Sequence, residues 1–257
     1  MMLCKSGKVS DIQKYHLKGW ISQEKKDGVR CMAICDEQVN LIGRSGSNYN
    51  SKFPEIVEDL KGFRGVLDGE ICCDTFDKTA SRVHTENKLK QKILRESYPA
   101  IFYAFDIISL DGQDLRLKPL IERLKILYQS LTDRRFVVKL GFTIDLVKSW
   151  EFASKNGQEG IILKRLDSKY SNTRSWDWIK VKKEVTRDII VDSYSVNPAG
   201  IRVEGEDLAC QITGSNAKLV KKEIDETGSC KIEVKGLEIT KNNKIRQIVF
   251  KDIKCKK

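Results

Sequence analysis

Histidine is scarce in this chain. Two occur in 257 residues, His16 and His84, which excludes chemistry built on several imidazoles. No apolar run approaches the roughly 20 residues that a membrane-spanning helix needs, so no membrane partner is expected. The opening stretch "MMLCKSGKVSD" has no apolar segment of the kind a secretory leader requires. The eight cysteines are scattered through a chain long enough to fold without disulfide staples. Cys72-Cys73 does not have the spacing of zinc ligands. Reduced thiols in a cytoplasm are therefore the expectation, and Cys31 and Cys35 are expected to point into a core. There is no internal repeat, no low-complexity tract and no Pro- or Gly-rich linker.

Basic residues are abundant. Lysine and arginine number 47 against 36 acidic residues, a net charge of +11. Net charge does not fix a fold, but it calls for an acidic partner, nucleic acid foremost. The length fits one large domain or two unequal ones.

The first two thirds read as mixed α and β. "VRCMAIC", "DEQ" and "VNLIGR" predict a hairpin. "SKFPEIVEDLKGF" predicts a short helix with Pro54 in its first turn. "GVLDGEICC" and "AIFYAFDIIS" predict strands, with Asp111-Gly112 as the turn after the second. Leu117, Leu120, Ile121, Leu124, Leu127, Tyr128 and Leu131 recur at helical spacing as a core-facing stripe. "TIDLVKSWEFASKNG" predicts a helix ended by Gly157; "EGIILKR" and "WDWIKVKK" predict strands. Beyond Lys183 come short strands in "RDIIVDSYSV", "AGIRVE", "EDLACQIT", "CKIEVKGLEIT" and "IRQIVFK", with one helix in "SNAKLVKKEIDE". That density of strands suggests a small closed barrel, and the OB-fold is the commonest such barrel that binds nucleic acid. The expected fold is α+β: antiparallel sheets with flanking helices over residues 1–185, then an OB-fold barrel over 186–257.

"EKKDGVR" raises a chemical question, because one of two adjacent lysines could be a nucleophile. An attacking amine must be neutral, whereas a free lysine has a pKa near 10.4; neighbouring cations or a metal lower it. Lys180 and Lys182, two apart on a predicted strand, share a face and could supply positive charge to a phosphate. Trp176 and Trp178 are expected on one face with each other, which argues against a fully solvated strand. Asp68 and Glu70 likewise share a face, and paired carboxylates can bind ribose hydroxyls or a metal. Arg44 in "GRSG" has small neighbours that let a phosphate come close, and its planar fork grips phosphate oxygens in pairs. Gln23 can donate and accept through its amide. Phe105 alternates with Tyr103 and Ile107.

Lys25-Lys26-Asp27-Gly28-Val29-Arg30, Gly43-Arg44-Ser45-Gly46, Leu67-Asp68-Gly69-Glu70, Tyr103-Ala104-Phe105-Asp106, Glu159 to Lys164 and Trp178 to Lys182 occur in that order. Together they resemble the covalent nucleotidyltransferases, specifically the small ATP-dependent DNA ligases, over nearly the whole chain. The resemblance implies an ATP-grasp-like nucleotidyltransferase domain followed by the OB domain, acting on nicked duplex DNA as a monomer. It implies ATP and Mg2+ or Mn2+ as cofactors. A lysine would attack the α-phosphate of ATP to give lysyl-AMP. AMP would pass to the 5′-phosphate of the nick, and the 3′-hydroxyl would then seal the strand.

By resemblance Lys25 is the nucleophile, in the spacing K-x-D-G that includes Asp27. In an extended segment neighbouring side chains point to opposite faces, so Lys26 is expected to face away. The resemblance gives Glu70 to the ribose, Phe105 to adenine stacking, Gln23 to the base edge and Arg174 to the nucleotide. Arg44 would hold the 5′-phosphate, with Arg30 near the reacting ends. Glu159, with Asp68, would help place the metal, and Lys180 and Lys182 would face the phosphate.

Two features depart from the pattern. Relatives end the OB domain with an arginine-bearing motif closing in Asp-Lys. Here the tail reads "KIRQIVFKDIKCKK": Arg246 and Phe250 fit, but Lys251, Asp252 and Lys254 follow. Either Lys251 or Lys254 replaces the arginines at the leaving group, or that step is weaker. Only a short segment precedes Lys25 and no long insertion interrupts the barrel. DNA grip is therefore expected from the two domains, with Lys78 to Arg95 (Arg82, Lys88, Lys90, Lys92) as a phosphate-contacting segment. The alternatives are an ATP-dependent RNA ligase, an mRNA-capping guanylyltransferase and a non-catalytic OB-type nucleic-acid-binding protein.

Overall fold

The chain divides into two compact units, Met1–Val181 and Lys182–Lys257. The computed structural model describes residues 1–205, 208–236 and 248–254.

In the first unit the chain runs through β1 (Leu3–Ser6), α1 (Val9–Tyr15), β2 (Trp20–Glu24), β3 (Val29–Cys35), β4 (Val39–Gly43), α2 (Pro54–Asp59) and β5 (Gly65–Cys72). It continues through α3 (Phe76–His84), α4 (Lys88–Ser97), β6 (Ile101–Leu110), β7 (Gln113–Asp114), α5 (Leu120–Ser130), β8 (Val137–Lys139) and β9 (Phe142–Thr143). It ends with α6 (Leu146–Lys155), β10 (Gly160–Arg165) and β11 (Arg174–Lys182), the last residue of which lies past the unit boundary. One sheet has the order β4-β3-β5-β6-β7, with β8 added in parallel to β6; the other has the order β1-β11-β10-β2-β9.

The hairpin read from the sequence is β3–β4, in register from Cys31↔Gly43 to Cys35↔Val39. Alternation puts Cys31, Ala33 and Cys35 in the core, as the strand period demands. That core fills the space between the sheet, α2 and α5 with Phe53, Ile56, Leu67, Phe102, Leu124 and Leu127. The second sheet packs Ile161, Leu163, Ile179 and Val181 against Ile12 of α1 and Leu146 and Ala153 of α6. Asp145 caps α6 by accepting from the Lys148 backbone N–H at 3.0 Å.

The apolar stripe needs correcting. Leu120, Leu124, Leu127 and Leu131 are buried, but Leu117 is 76% exposed and Ile121 and Tyr128 lie at the surface. Pro119 is the N-cap, so the helix starts at Leu120 and Leu117 never joins it. The Lys78 to Arg95 segment also differs from expectation. Arg82 is a buried structural residue: its guanidinium bridges Glu55 at 2.5 and 3.1 Å and donates to the carbonyls of Tyr98, at 3.0 Å, and Lys52. It roots α3 on α2 and is not available to phosphate. Lys88, Lys90 and Lys92 are exposed on α4, a helix with no buried residue.

The second unit contains β12 (Val185–Val191), β13 (Ser193–Asn197), β14 (Gly200–Gly205), β15 (Leu208–Ile212), α7 (Gly214–Thr227), β16 (Cys230–Gly236) and β17 (Val249–Ile253). Its strands form two antiparallel sheets, β12-β16-β17 and β13-β14-β15. Val191, Ile201, Val203, Val220, Ile224, Ile232 and Val234 fill a separate core, with Phe250 against it. The predicted strand "RDIIVDSYSV" is two strands divided at Asp192. Arg246 and the "LEIT" end of the predicted strand fall outside the described residues.

Candidate active site

Strand pairing builds the site. Strand β2 runs antiparallel to β10 with Glu24 opposite Ile161. One residue further, the Lys25 N–H donates to the Gly160 carbonyl at 3.0 Å. Glu159 precedes Gly160, so this register alone brings the carboxylate of Glu159 onto the amine of Lys25, where the two make an ion pair. In the other sheet Arg30 on β3 stands opposite Glu70 on β5, and Glu70 stands opposite Tyr103 on β6.

Lys25, Lys26 and Asp27 lie past the end of β2, not within it. The strand alternation that would send Lys26 away from Lys25 therefore does not apply. Lys26 also lines the cavity, paired to Glu24 at 2.7 Å with its amine 4.2 Å from the Tyr103 ring centroid. Gly28 is required here by close approach. A Cβ at that position would sit 2.2 Å from the Ile71 carbonyl oxygen and 2.5 Å from the Cys72 Sγ. The glycine thus lets the lysine loop lie directly on the end of β5.

A cavity of about 200 Å³ opens beside this loop. Its lining gathers Gln23, Lys25, Arg30, Arg44, Glu70, Phe105, Arg174 and Lys180 among the residues singled out in the sequence. Arg44 is exposed at the rim, in a turn where Gly46 takes φ +88°, a left-handed conformation open to glycine. Glu159 touches Lys25 without lining the cavity. Asp27 is half-buried in the loop, and Lys182 is the half-buried last residue of β11; neither lines the cavity.

Asp68 does not stand where a metal-binding carboxylate is expected. It is fully buried and accepts from Nε and Nη2 of Arg30 at 2.6 Å each, and from the Tyr170 hydroxyl at 2.6 Å. Burial opposes the charge on Arg30, but Asp68 overrides it and holds the guanidinium above its ordinary pKa. The same fork that could grip a phosphate is thus spent on Asp68.

Lys164 is the site residue that sequence reasoning passed over. It closes the stretch "EGIILK", five residues after Glu159, and that position was its only signal. Its amine is buried 4.3 Å from the Phe105 ring centroid and 3.9 Å from that of Trp178, and it donates to the Phe105 carbonyl at 3.4 Å. Burial pushes its pKa down to about 7, against the pull of Asp106. Burial also pushes Glu70 up to about 7, against Arg30 and Lys25. The cavity therefore holds one acid and one base poised near neutrality.

Gln23 is buried. Its amide nitrogen donates to the Leu140 carbonyl at 3.2 Å, while its Oε1 has no partner. An unpaired buried carbonyl beside a cavity calls for a ligand donor. Phe105 is 7% exposed, with the Arg30 guanidinium 4.4 Å from its centroid. Trp176 and Trp178 were expected on one face; Trp178 is buried and Trp176 is 61% exposed. Between Cys4↔Ser175 and Lys5↔Ile179 the β1–β11 register breaks, so Trp176 lies in a stretch without a partner on β1.

Residues 1–182 match the family model described as the ATP dependent DNA ligase domain. The SPbeta prophage-derived DNA ligase-like protein LigB of Bacillus subtilis is 27% identical over 187 residues, covering 71% of this chain and 68% of that protein. A probable DNA ligase of Streptomyces coelicolor is 32% identical over 188 residues, covering 66% of this chain and 36% of that protein. The multifunctional non-homologous end joining protein LigD of Pseudomonas aeruginosa is 30% identical over 191 residues, and there the match spans 22% of the relative. Among solved structures, a Lig E DNA ligase studied for DNA binding with a minimal scaffold superposes with TM-score 0.73 at 20% identity, covering 99% of both chains. Mycobacterial DNA ligase D complexed with ATP and MES gives TM-score 0.59 at 21% identity, covering 100% of this chain and 95% of that one. At these identities the structural likeness concerns the fold.

Proposed function

Because this chain belongs to the ATP-dependent DNA ligase family, we propose that it seals nicks with a 3′-hydroxyl and a 5′-phosphate in duplex DNA, using ATP through a lysyl-AMP and a DNA-adenylate. The observation that carries the reading is the Lys25 amine, held on Glu159 at the wall of a cavity whose lining also presents Arg44, Arg174 and Lys180. In the first step Nζ of Lys25 bonds to the α-phosphorus as the bond to the pyrophosphate leaving group breaks. The Glu159 carboxylate, in contact with Nζ, is placed to take the amine proton. Lys180 offsets charge on the phosphate. AMP then moves to the 5′-phosphate, held at the rim by Arg44, and the 3′-hydroxyl displaces it.

Two lining residues suit the polar edges of adenosine. The unpartnered Gln23 Oε1 matches the adenine amino group, and Glu70 matches the ribose. Stacking of the base on Phe105 competes with the two cations over its ring, Arg30 at 4.4 Å and Lys164 at 4.3 Å. Lys164 is held there by a single 3.4 Å hydrogen bond, whereas Arg30 is held by a bidentate carboxylate, so Lys164 is the one that yields.

The described residues contain no cluster of three or more acidic, histidine or cysteine groups able to hold a metal by themselves. Magnesium commonly takes one or two carboxylates and completes its shell with phosphate oxygens and water. Glu159 could serve as one such carboxylate, whereas Asp68, occupied by Arg30 and Tyr170, could not. A metal held there would supply charge neutralisation at the triphosphate.

The two sheets β12-β16-β17 and β13-β14-β15 with helix α7, among the described residues, support an OB-fold domain over residues 186–257, after a nucleotidyltransferase domain over 1–185. We read the chain as a cytoplasmic monomer; the free cysteines among the described residues suit a reducing compartment. No helix among the described residues is long and apolar enough to cross a membrane.

Incubation with labelled ATP, GTP and NAD tests the first step. A covalent adduct from ATP alone is expected, and an adduct from GTP alone would reassign the chain to capping chemistry. Single-turnover sealing of an all-DNA nick, compared with one whose 3′-hydroxyl strand is RNA, tests the substrate. Preference for the RNA strand would make it an RNA ligase.

A further inference from the structure

Strand β11 forms one wall of the cavity with Arg174, Trp178 and Lys180. Between Ser175 and Ile179 three residues, Trp176, Asp177 and Trp178, have no partner on β1, because the register steps from Cys4↔Ser175 to Lys5↔Ile179. This irregularity is held in place. The Ser175 hydroxyl donates to Asp177 Oδ2 at 2.7 Å and accepts from the Asp177 N–H at 3.0 Å. Arg165 on β10 reaches the other carboxylate oxygen of Asp177 at 2.8 Å.

The two tryptophans differ in burial. Trp178 goes into the core beneath the cavity. Trp176 goes to solvent, the most exposed of the four tryptophans at 61%, with the Lys5 amine 5.7 Å from its ring centroid. A single exposed apolar residue needs no explanation. A tryptophan exposed within a locked strand irregularity, two residues from the cavity-lining Arg174, is different, because such irregularities are found beside sites, where they aim side chains. An aromatic ring set among cations is the combination that binds nucleic acid: cations hold the backbone and the ring stacks on a base.

We propose that Trp176 is the platform on which the terminal base pair at the nick stacks, while Lys5 and Arg174 face the adjoining phosphates. A nick is where this can happen, since a base pair at a strand end is more easily unstacked than one within an intact duplex. The inference rests on the nick-sealing reading of the cavity and adds a substrate-positioning residue to it.

The test compares wild type, Trp176→Phe and Trp176→Ala. Three quantities are measured: affinity for a nicked duplex with a non-ligatable 3′ end, affinity for the same duplex without the nick, and the rate of adduct formation with ATP. Base stacking on an aromatic residue, about 1–3 kcal/mol, predicts that Trp176→Ala weakens nicked-duplex binding by about 5- to 150-fold. Trp176→Phe keeps most of the affinity, the intact duplex is affected less than the nicked one, and adduct formation and melting temperature are unchanged. Unchanged nick affinity in Trp176→Ala would overturn the proposal, as would equal loss on nicked and intact duplexes. Failure of wild type itself to bind a nick would instead overturn the nick-sealing reading, and the wild-type arm tells the two failures apart.

Discussion

The two units handle charge in opposite ways. In the first, charges go inside: Arg123 and Asp106 form a bidentate pair at 2.8 Å with both side chains fully buried. Arg82 with Glu55, and Arg30 with Asp68, repeat the device. In the second, the ion pairs among the described residues are at the surface, such as Lys221 with Asp225 and Lys231 with Asp188. Lys251 and Lys254 share one such partner, Glu233, at 2.9 and 3.1 Å. Buried pairs are a poor source of net stability but fix groups in one arrangement, whereas surface pairs contribute little of either. The unit that carries the cavity is the one whose charges are fixed from within.

Lys25→Ala tests the sharpest consequence of that arrangement. It should abolish the ATP-dependent adduct, whereas Lys26→Ala, although Lys26 lines the same cavity, should retain it. Peptide mass spectrometry that maps the adduct to Lys26 would reverse the assignment.

The next largest effect concerns stability. Asp106→Ala leaves the Arg123 guanidinium buried and uncompensated, which should cost about 3–5 kcal/mol in chemical denaturation. Glu233→Ala, which frees Lys251 and Lys254 to water, should leave the denaturation midpoint close to wild type. Equal losses in the two variants would erase the contrast between the units.

The two poised groups in the cavity make opposite pH predictions. Native Glu70 keeps its proton to about pH 7, while the unfolded chain releases it near 4.5. The native state then binds more protons in that window, so stability falls as pH rises from about 4.5 to 7, by up to about 3 kcal/mol. Native Lys164 loses its proton near pH 7 and the unfolded chain near 10.5, so its contribution rises with pH above 7. Glu70→Gln should flatten the acid limb of the stability profile and Lys164→Met the alkaline limb. A Glu70→Gln profile that superimposes on wild type between pH 5 and 7 would remove the burial argument.

The smallest effect is expected at the tail. If Lys251 and Lys254 meet the leaving group, the double alanine variant should slow adduct formation from ATP several-fold and leave sealing of pre-adenylated nicks unchanged. Lysine lacks the bidentate fork of arginine, which is why the effect is modest. An unaltered adduct rate would assign the two lysines to Glu233 alone.

Most of the elements with a strong period were legible in the sequence. The β3–β4 hairpin, β5, β6, α6 and the short strands of the second unit followed from alternation, helical spacing and turn residues. The inward cysteines Cys31 and Cys35 followed from the same alternation. Weaker elements were missed: β1 has only 4 residues, and in β2 four consecutive residues are buried, so neither shows an alternation. The start of α5 was misjudged because Leu117 fits the stripe by spacing although Pro119 begins the helix.

Local order along the chain determined which residue types gather at the cavity, because strand neighbours and short motifs fix what each strand can present. The partners were decided by tertiary structure. Arg30 and Arg82 read as phosphate ligands in one dimension, since an arginine is the same fork wherever it stands. Folding gave both to buried carboxylates, Asp68 and Glu55, because an arginine taken out of water must be paired. Trp176 and Trp178, two apart, differ in burial across a register break that no spacing reveals. The neutral-range acid and base, Glu70 and Lys164, likewise owe their character to burial, which belongs to the packed molecule and not to the string of residues.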